Sequence, residues 1–292
     1  VSSDREHYAL ESSPERYSHK FHAGNIGDVW KHIILTALIQ DRVAGGAFTF
    51  FETHAGSGAY QLGATGEWTE GLGALLSKCT ALRSVALRSY IARVQEFGFR
   101  AEGKFIYPGS PVLAASLMRP IDALKLWELD PSACAELRAS TAQSLAMTIV
   151  EQGDGMRALE AFVDGASGGR AVLAHIDPPW SEKRDWQLIP REILAISRMA
   201  PQVQIALWYP IKSYTRVNAM LNFLKAQKLE FVTADLITSP LENKRNRLNG
   251  SGMLLVGTNN TVLTDIAAAG VEVGMACGLG GFWDLRMVKS GE

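Results

Sequence analysis

Ala171-Val172-Leu173-Ala174-His175-Ile176-Asp177-Pro178-Pro179-Trp180 opens as an apolar strand and ends in an acid, two prolines and an indole. The run from Ala171 to Ala174 reads as a buried strand. A strand ending this way sets a carboxylate and an aromatic face at the carboxyl edge of a sheet, where open α/β sheets bind ligands. The prolines lack N–H groups, so their carbonyls stay free to accept hydrogen bonds from a ligand. A carboxylate, free carbonyls and a stacking ring together suit a flat molecule carrying an exocyclic amine.

The same grammar recurs upstream. Ala47 to Glu52 reads as a strand and runs into Thr53-His54-Ala55-Gly56-Ser57-Gly58, a small-residue turn that lets backbone approach a nucleotide-like ligand. It is neither Gly-x-Gly-x-x-Gly nor a P-loop, so the dinucleotide and phosphate-loop readings fall away. Ala123 to Glu128 reads as a strand with an acid at its end, and Asp130-Pro131 opens a helix to about Ser140. Met147 to Val150 is a short strand before Asp154-Gly155 and another helix. Further strands are expected at Gln204–Tyr209 (ended by Pro210), Glu230–Ile237, Met253–Val256 and, at an edge, Phe282–Val288, with a helix over Val262–Ala269. Strands alternating with helices predict an α/β doubly wound sheet. Glu128, Asp154 and Asp177 then share one rim. A carboxylate such as Glu128, ending the second strand of the fold, accepts hydrogen bonds from a ribose diol; each acid taken alone also reads as a helix N-cap.

Between the first two large strands, Tyr60 to about Phe105 is too long for a plain crossover. Leu75 to Phe97 reads as one or two helices, a helical insertion over about 60–105. Tyr107-Pro108-Gly109-Ser110-Pro111 is a turn in which Ser110 caps the following helix. Near the N-terminus, Tyr17 to Asn25 is dense in aromatic, basic and turn residues. Asp28 is placed to cap a helix carrying Lys31 and His32 in its first turns.

The 292 residues bound this to one large domain, 17–292, behind a polar tail, 1–16, that reads as loose. No long apolar run or leader-like apolar segment occurs, and the three cysteines show no zinc or disulfide spacing, so a reducing cytoplasm is the expected compartment. A formal net charge of −1 argues against nonspecific coating of nucleic acid. The basic clusters Arg16-His19-Lys20 and Lys244-Arg245-Asn246-Arg247 read first as solvated loops. His19 and His22, without a cysteine or acid near them in sequence, do not make a metal site, and no metal is expected.

Asp-Pro-Pro followed by an aromatic is similar to the motif of amino-methyltransferases acting on exocyclic nitrogens of adenine or cytosine. Phe21-His22-Ala23-Gly24-Asn25, Asp28-Val29 with Lys31-His32, Thr53-His54-Ala55-Gly56-x-Gly58 with Tyr60-Gln61-Leu62, Tyr107 to Pro111, Asp177-Pro178-Pro179, Leu207-Trp208-Tyr209-Pro210 and Ser251-Gly252-Met253 recur in that order. Together they resemble the RlmJ family of bacterial 23S ribosomal RNA adenine-N6 methyltransferases, from about Tyr17 to near the C-terminus. The resemblance implies a Rossmann-like class I methyltransferase with a helical insertion after the first strand. It implies S-adenosylmethionine as cofactor and, as target, adenine 2030 of protein-free 23S rRNA. Cofactor contacts carried over are His32, His54, Ser110, Glu128, Asp154 with Gly155, and Asp177. Asp177 is also the proton acceptor, with Pro178 and Trp180 completing the catalytic motif. Tyr17, His19 and Lys31 are expected on the RNA side, and the working unit is expected to be a monomer. The family usually has tyrosine where this chain has Trp180 and aspartate where it has Glu52, and its N-terminal tail is shorter. The rival readings are a DNA adenine-N6 methyltransferase and a non-catalytic nucleic-acid-binding protein serving DNA uptake or use.

Overall fold

The computed structural model describes residues 22–78, 83–98, 105–165, 169–242 and 248–291. The expected tail, Tyr17, His19 and the Lys244–Arg247 cluster lie outside them. The described chain runs α1 (Ile26–Gly45), β1 (Phe48–Glu52), β2 (Ala59–Gln61), a 3-10 turn (Glu67–Thr69), α2 (Leu72–Lys78), α3 (Val85–Gly98), β3 (Ile106–Pro108) and α4 (Ser110–Leu117). It continues with β4 (Ala123–Glu128), α5 (Pro131–Thr141), β5 (Met147–Gln152), α6 (Gly155–Asp164), β6 (Ala171–Ile176), α7 (Asp185–Met199), β7 (Gln204–Ile211) and α8 (Tyr214–Ala226). It closes with β8 (Val232–Ile237), β9 (Gly250–Val256), α9 (Asn260–Cys277) and β10 (Asp284–Lys289).

Among the described residues the central sheet has eight strands in the order β10-β8-β9-β7-β6-β1-β4-β5. β5, β4, β1, β6 and β7 are parallel, and β9 and β10 pair antiparallel to their neighbours. The chain leaves β1 to build β4 on one side and later β6 on the other. The order therefore reverses at β1, and the crevice at its carboxyl end is the expected ligand position. All five β1 residues are buried, as befits the central strand. Phe48 and Phe50 belong to the core under α1, α3, α4, α5 and α9, while Phe51 belongs to the core under α6, α7 and α8.

The segment between β1 and β4 folds as α2 and α3 over a two-stranded ribbon of β2 and β3. Leu72, Leu75, Ala86, Leu87, Tyr90 and Val94 join the main core rather than one of their own. Its helices are therefore continuous with the layer that carries α1.

Three boundaries differ from expectation for physical reasons. α1 starts at Ile26 with Asn25 as N-cap, its side chain accepting from Asp28 N at 3.0 Å; Asp28 instead accepts from Gly24 N at 3.0 Å, a reciprocal cap. α9 runs on through Gly270 and Gly274 to Cys277. A Cβ on Gly270 would come within 2.6 Å of Leu285, and one on Gly274 within 2.6 Å of Trp283, so these glycines admit β10 rather than end the helix. β7 continues through Pro210, where β6, whose pairing ends at Leu207, no longer needs a partner.

Asp235, on β8 and only 3% exposed, accepts hydroxyl bonds from Tyr209 and Tyr214. Burial raises its carboxyl to about 6, and the two tyrosines and Arg286 only partly oppose this. A carboxyl whose folded pKa is raised stabilises the fold fully below its ordinary 3.8 and loses that contribution as pH rises through about 6. Relative to wild type, Asp235→Asn is therefore expected to gain on the order of 2–3 kcal/mol between about pH 4 and pH 7. Urea unfolding midpoints at the two pH values measure this; a constant difference between the proteins would refute it.

Candidate active site

Glu52, the last residue of β1, is fully buried. Its Oε1 accepts from Ser110 Oγ and from His175 Nδ1 (2.8 Å), while Glu52 Oε2 and His175 Nε2 have no hydrogen-bond partner among the described residues. Ser110 is the first residue of α4 and Gly109 is its N-cap, so the expected Ser110 cap is corrected: the hydroxyl is spent on Glu52 instead. The turn after β1 is held from three sides. Thr53 N donates to His175 O (3.1 Å), Ala55 N to Trp127 O (2.9 Å) and Gly56 N to Glu128 Oε2 (2.8 Å). Gly56 and Gly58 have φ of +61° and +79°, which L side chains rarely adopt.

Glu128 Oε1 accepts from Asp130 N at 2.8 Å, so both its oxygens brace loops, each keeping a further lone pair for a ligand hydroxyl. Asp154 caps α6 through Met156 N (3.0 Å) and Arg157 N (3.2 Å). The expected Asp154–cofactor contact thus competes with a helix cap at its Oδ1. Gly155 lies directly under the β1 turn: a Cβ there would collide with the Thr53 carbonyl. Gly155→Ala is expected to push that turn away and weaken S-adenosylmethionine binding at least about tenfold. Calorimetric titration measures this, and unchanged affinity would refute it. His54 stands in this ring, its Nδ1 2.8 Å from Thr53 Oγ1. Burial lowers its pKa despite Asp177, Glu128, Asp154 and Glu52 around it, so it is neutral near pH 7.

Asp177 follows β6, which pairs with β1, so its carboxylate stands beside the turn. Lys31 Nζ reaches it from α1, 2.6 Å from Asp177 Oδ2 and 2.9 Å from Asp28 Oδ1. Burial would raise the Asp177 pKa, but the Lys31 ammonium, with His175, outweighs it and holds the carboxyl below its ordinary range. Burial would likewise depress Lys31, but Asp177 and Asp28 hold it above its ordinary value. Asp177 Oδ1 and the Pro178 carbonyl carry no protein hydrogen bond among the described residues. Lys31, expected on the RNA side, is 4% exposed and paired to two carboxylates.

His32, expected as a cofactor contact, is 2% exposed, and its Nδ1 is 2.8 Å from the Tyr107 hydroxyl, which in turn meets Tyr90 at 3.0 Å. Burial and Lys31 lower its pKa to about 3, so it is neutral and held behind Lys31. Trp180, expected to stack on the base, packs against a neighbouring indole. It is 7% exposed, its ring lies 4.2 Å from that of Trp186, and its Nε1 donates to the Trp208 carbonyl at 3.0 Å. Its φ of +50° turns the indole inward while Pro179 stays exposed. His22 lies 3.0 Å from Glu67, an acid that its neighbours in sequence do not show. The Glu52–His175 pair and the Asp28–Lys31–Asp177 bridge were not read from sequence. Asp28 and Lys31 at i,i+3 were a usable signal for half of the second.

Residues 45–274 match the family described as Ribosomal RNA large subunit methyltransferase D, RlmJ. The chain belongs to the RlmJ family. Two relatives, both named Ribosomal RNA large subunit methyltransferase J, share most of its length. That of Escherichia coli is 34% identical over 248 residues, covering 82% of this chain and 86% of the relative. That of Haemophilus influenzae is 28% identical over 257 residues, covering 86% and 89%. A Legionella pneumophila crystal structure superposes with a TM-score of 0.81 at 24% identity, covering 91% of this chain and 98% of its own, which establishes the shared fold. As an RlmJ-family member the chain is an S-adenosylmethionine-dependent methyltransferase. The rim suits that cofactor: a positive-φ glycine turn packed on Gly155, a strand-end carboxylate for a ribose and a Glu52 oxygen behind the turn that has no partner among the described residues. Among the described residues no helix is long and apolar enough to cross a membrane.

Proposed function

We propose that this chain methylates N6 of an adenine in 23S rRNA, with adenine 2030 of protein-free RNA as target, acting as a cytoplasmic monomer without a metal. The observation that carries the reading is the Asp177 carboxylate, anchored through one oxygen to buried Lys31 and open at the other. Adenine N6 is a poor nucleophile because its lone pair is delocalised into the ring. Asp177 Oδ1 and the Pro178 carbonyl can each accept one N6 hydrogen, which favours a more pyramidal nitrogen. Lys31 keeps Asp177 ionised, so it accepts rather than donates at this position. When bound, S-adenosylmethionine would supply an electrophilic methyl group, its methyl–sulfur bond breaking as the N6–methyl bond forms and the neutral thioether S-adenosylhomocysteine leaving. Attack leaves a surplus proton on N6, and Asp177 Oδ1 receives it. Even a carboxylate of low basicity suffices, because that nitrogen is cationic and strongly acidic. The residues thus contribute mainly orientation and a place for the proton. A stacked adenine must be flipped out to enter.

The test is methylation of 23S rRNA from cells lacking the gene, with labelled cofactor and mass spectrometry of the product. RNA and DNA oligomers of one sequence are compared in parallel. Incorporation into RNA as N6-methyladenine is expected. Incorporation into DNA alone would establish the DNA rival, and no heat on titrating millimolar cofactor would establish the non-catalytic one.

A further inference from the structure

We infer that Tyr107, itself held by Tyr90, is a positioning residue: it fixes the His32 ring proton on Nε2, so that His32 meets the carboxylate of S-adenosylmethionine as a hydrogen-bond donor. The cofactor half of this rests on the proposed function. His32 on α1, Tyr107 on β3 and Tyr90 on α3 form a buried line. His32 Nδ1 is 2.8 Å from the Tyr107 hydroxyl, which is 3.0 Å from that of Tyr90. The His32 and Tyr107 rings also stack, with centroids 5.6 Å apart. Burial raises both tyrosines above their ordinary value, and burial with Lys31 lowers His32 to about 3. Near pH 7 both hydroxyls therefore keep their protons and the imidazole carries one. Two arrangements make both hydrogen bonds. In the first, Tyr90 donates to Tyr107 and Tyr107 donates to His32 Nδ1, which leaves the ring proton on Nε2. In the second, His32 Nδ1 donates to Tyr107 and Tyr107 to Tyr90. The Tyr90 proton then has no acceptor, because Tyr90 is fully buried and its hydroxyl meets only Tyr107 among the described residues. A buried donor left unpaired bears its full desolvation cost, so the first arrangement prevails.

Nε2 stays available to a ligand. Among the described residues the sealed nitrogens without a partner include His175 Nε2 but not His32 Nε2, so the slight exposure of His32 reaches that atom. Its surroundings are those of the rim. Lys31, the preceding residue, reaches Asp177, and Gly109, two residues after Tyr107, donates to the Gly58 carbonyl of the glycine turn at 2.7 Å. An N–H at Nε2 calls for an acceptor. The ammonium and sulfonium of S-adenosylmethionine are cations, and its strongest acceptor is the carboxylate of its amino-acid part. Tyr90 lies on α3, so the insertion holds the cofactor rim through hydrogen bonds as well as through packing.

Nitrogen-15 spectra of the histidine rings in ligand-free wild type, with the His32 signals identified by their loss in His32→Gln, should show the proton on Nε2. A proton on Nδ1 overturns the inference. Tyr107→Phe keeps the ring and removes the donor. It is expected to weaken binding of S-adenosylhomocysteine by about three- to tenfold, and that of 5′-methylthioadenosine, which lacks the amino-acid part, by less than about twofold. Tyr90→Phe leaves Tyr107 its acceptor at Nδ1 and should lose less than Tyr107→Phe. A merely loosened site would weaken both ligands alike. Equal losses for the two, or no loss in folded Tyr107→Phe, overturn the inference. If Tyr107→Phe fails to fold, the wild-type ring spectra decide. Neither readout uses RNA, so a wild type that methylates no 23S rRNA removes the proposed function, while spectra and titrations still judge the tyrosine line.

Discussion

Asp177→Ala is expected to lower methyl transfer to 23S rRNA by about a hundred- to ten-thousandfold, the range for removing a group that handles a proton at the reacting atom. Two losses combine. The N6 amine loses the acceptor that orients it, and the proton released on transfer loses its first resting place. Asp177→Asn separates them, since its amide carbonyl still accepts a hydrogen bond but takes up no proton. It is expected to lie between wild type and Asp177→Ala. Lys31 limits the interpretation in a useful way. In Asp177→Ala it keeps Asp28 at 2.9 Å, so its charge is not stranded and the protein should remain folded. Initial rates with labelled cofactor, alongside thermal melts, make the measurement. Near-normal transfer by folded Asp177→Ala would show that the chemistry lies elsewhere.

Lys31→Met is expected to have the second largest effect, and to act through pH. The substitution keeps most of the side-chain volume and removes the Lys31 ammonium from between Asp28 and Asp177. In wild type the Asp177 pKa is lowered, so its contribution to stability is present above the ordinary carboxylate range and lost on acidification. In the variant, burial is opposed only by the weaker effect of His175, and the folded pKa rises. The sign then reverses, and stability falls as pH increases through the raised value. The variant should be destabilised by about 3–5 kcal/mol near pH 8 and less near pH 5. Because Asp177 must be ionised to take up the proton released on transfer, the acid limb of kcat/KM should move up by about one to three pH units. Part of the lost activity should return at high pH. Melts at two pH values and a pH–rate profile test this. An unmoved acid limb would mean that Lys31 does not set the charge state of Asp177.

Both variants bear on residues whose sequence positions were informative but incomplete. Asp177 was readable because a strand that ends in Asp-Pro-Pro has few uses other than presenting acceptors. Lys31 was readable as a singular residue in the first turns of a helix. Its direction was not, because its partner lies 146 residues away. The three rim acids show the same divide. Their placement at strand ends followed from the alternation of strands and helices. Which of them would cap a helix and which would face a ligand depended on neighbouring backbone: Asp154 went to the α6 cap and Glu128 to the Gly56 turn. Glycines in α9 read as a helix end, because local propensity cannot see Leu285 and Trp283 packing against the bare backbone.

By itself, then, the sequence determined the doubly wound sheet, the rim at which its acids gather and the methyltransferase motif. The sheet and the rim follow from hydrophobic periodicity and from residues whose backbone preferences act locally, and the motif from its resemblance to known methyltransferases. Only the tertiary structure decided what each side chain at that rim does. It turned Lys31 inward to Asp177, buried His32 behind Tyr107, and folded Trp180 under Trp208. Each of those outcomes is a contact between distant segments. Its energy depends on burial and on a partner that no local stretch of chain contains.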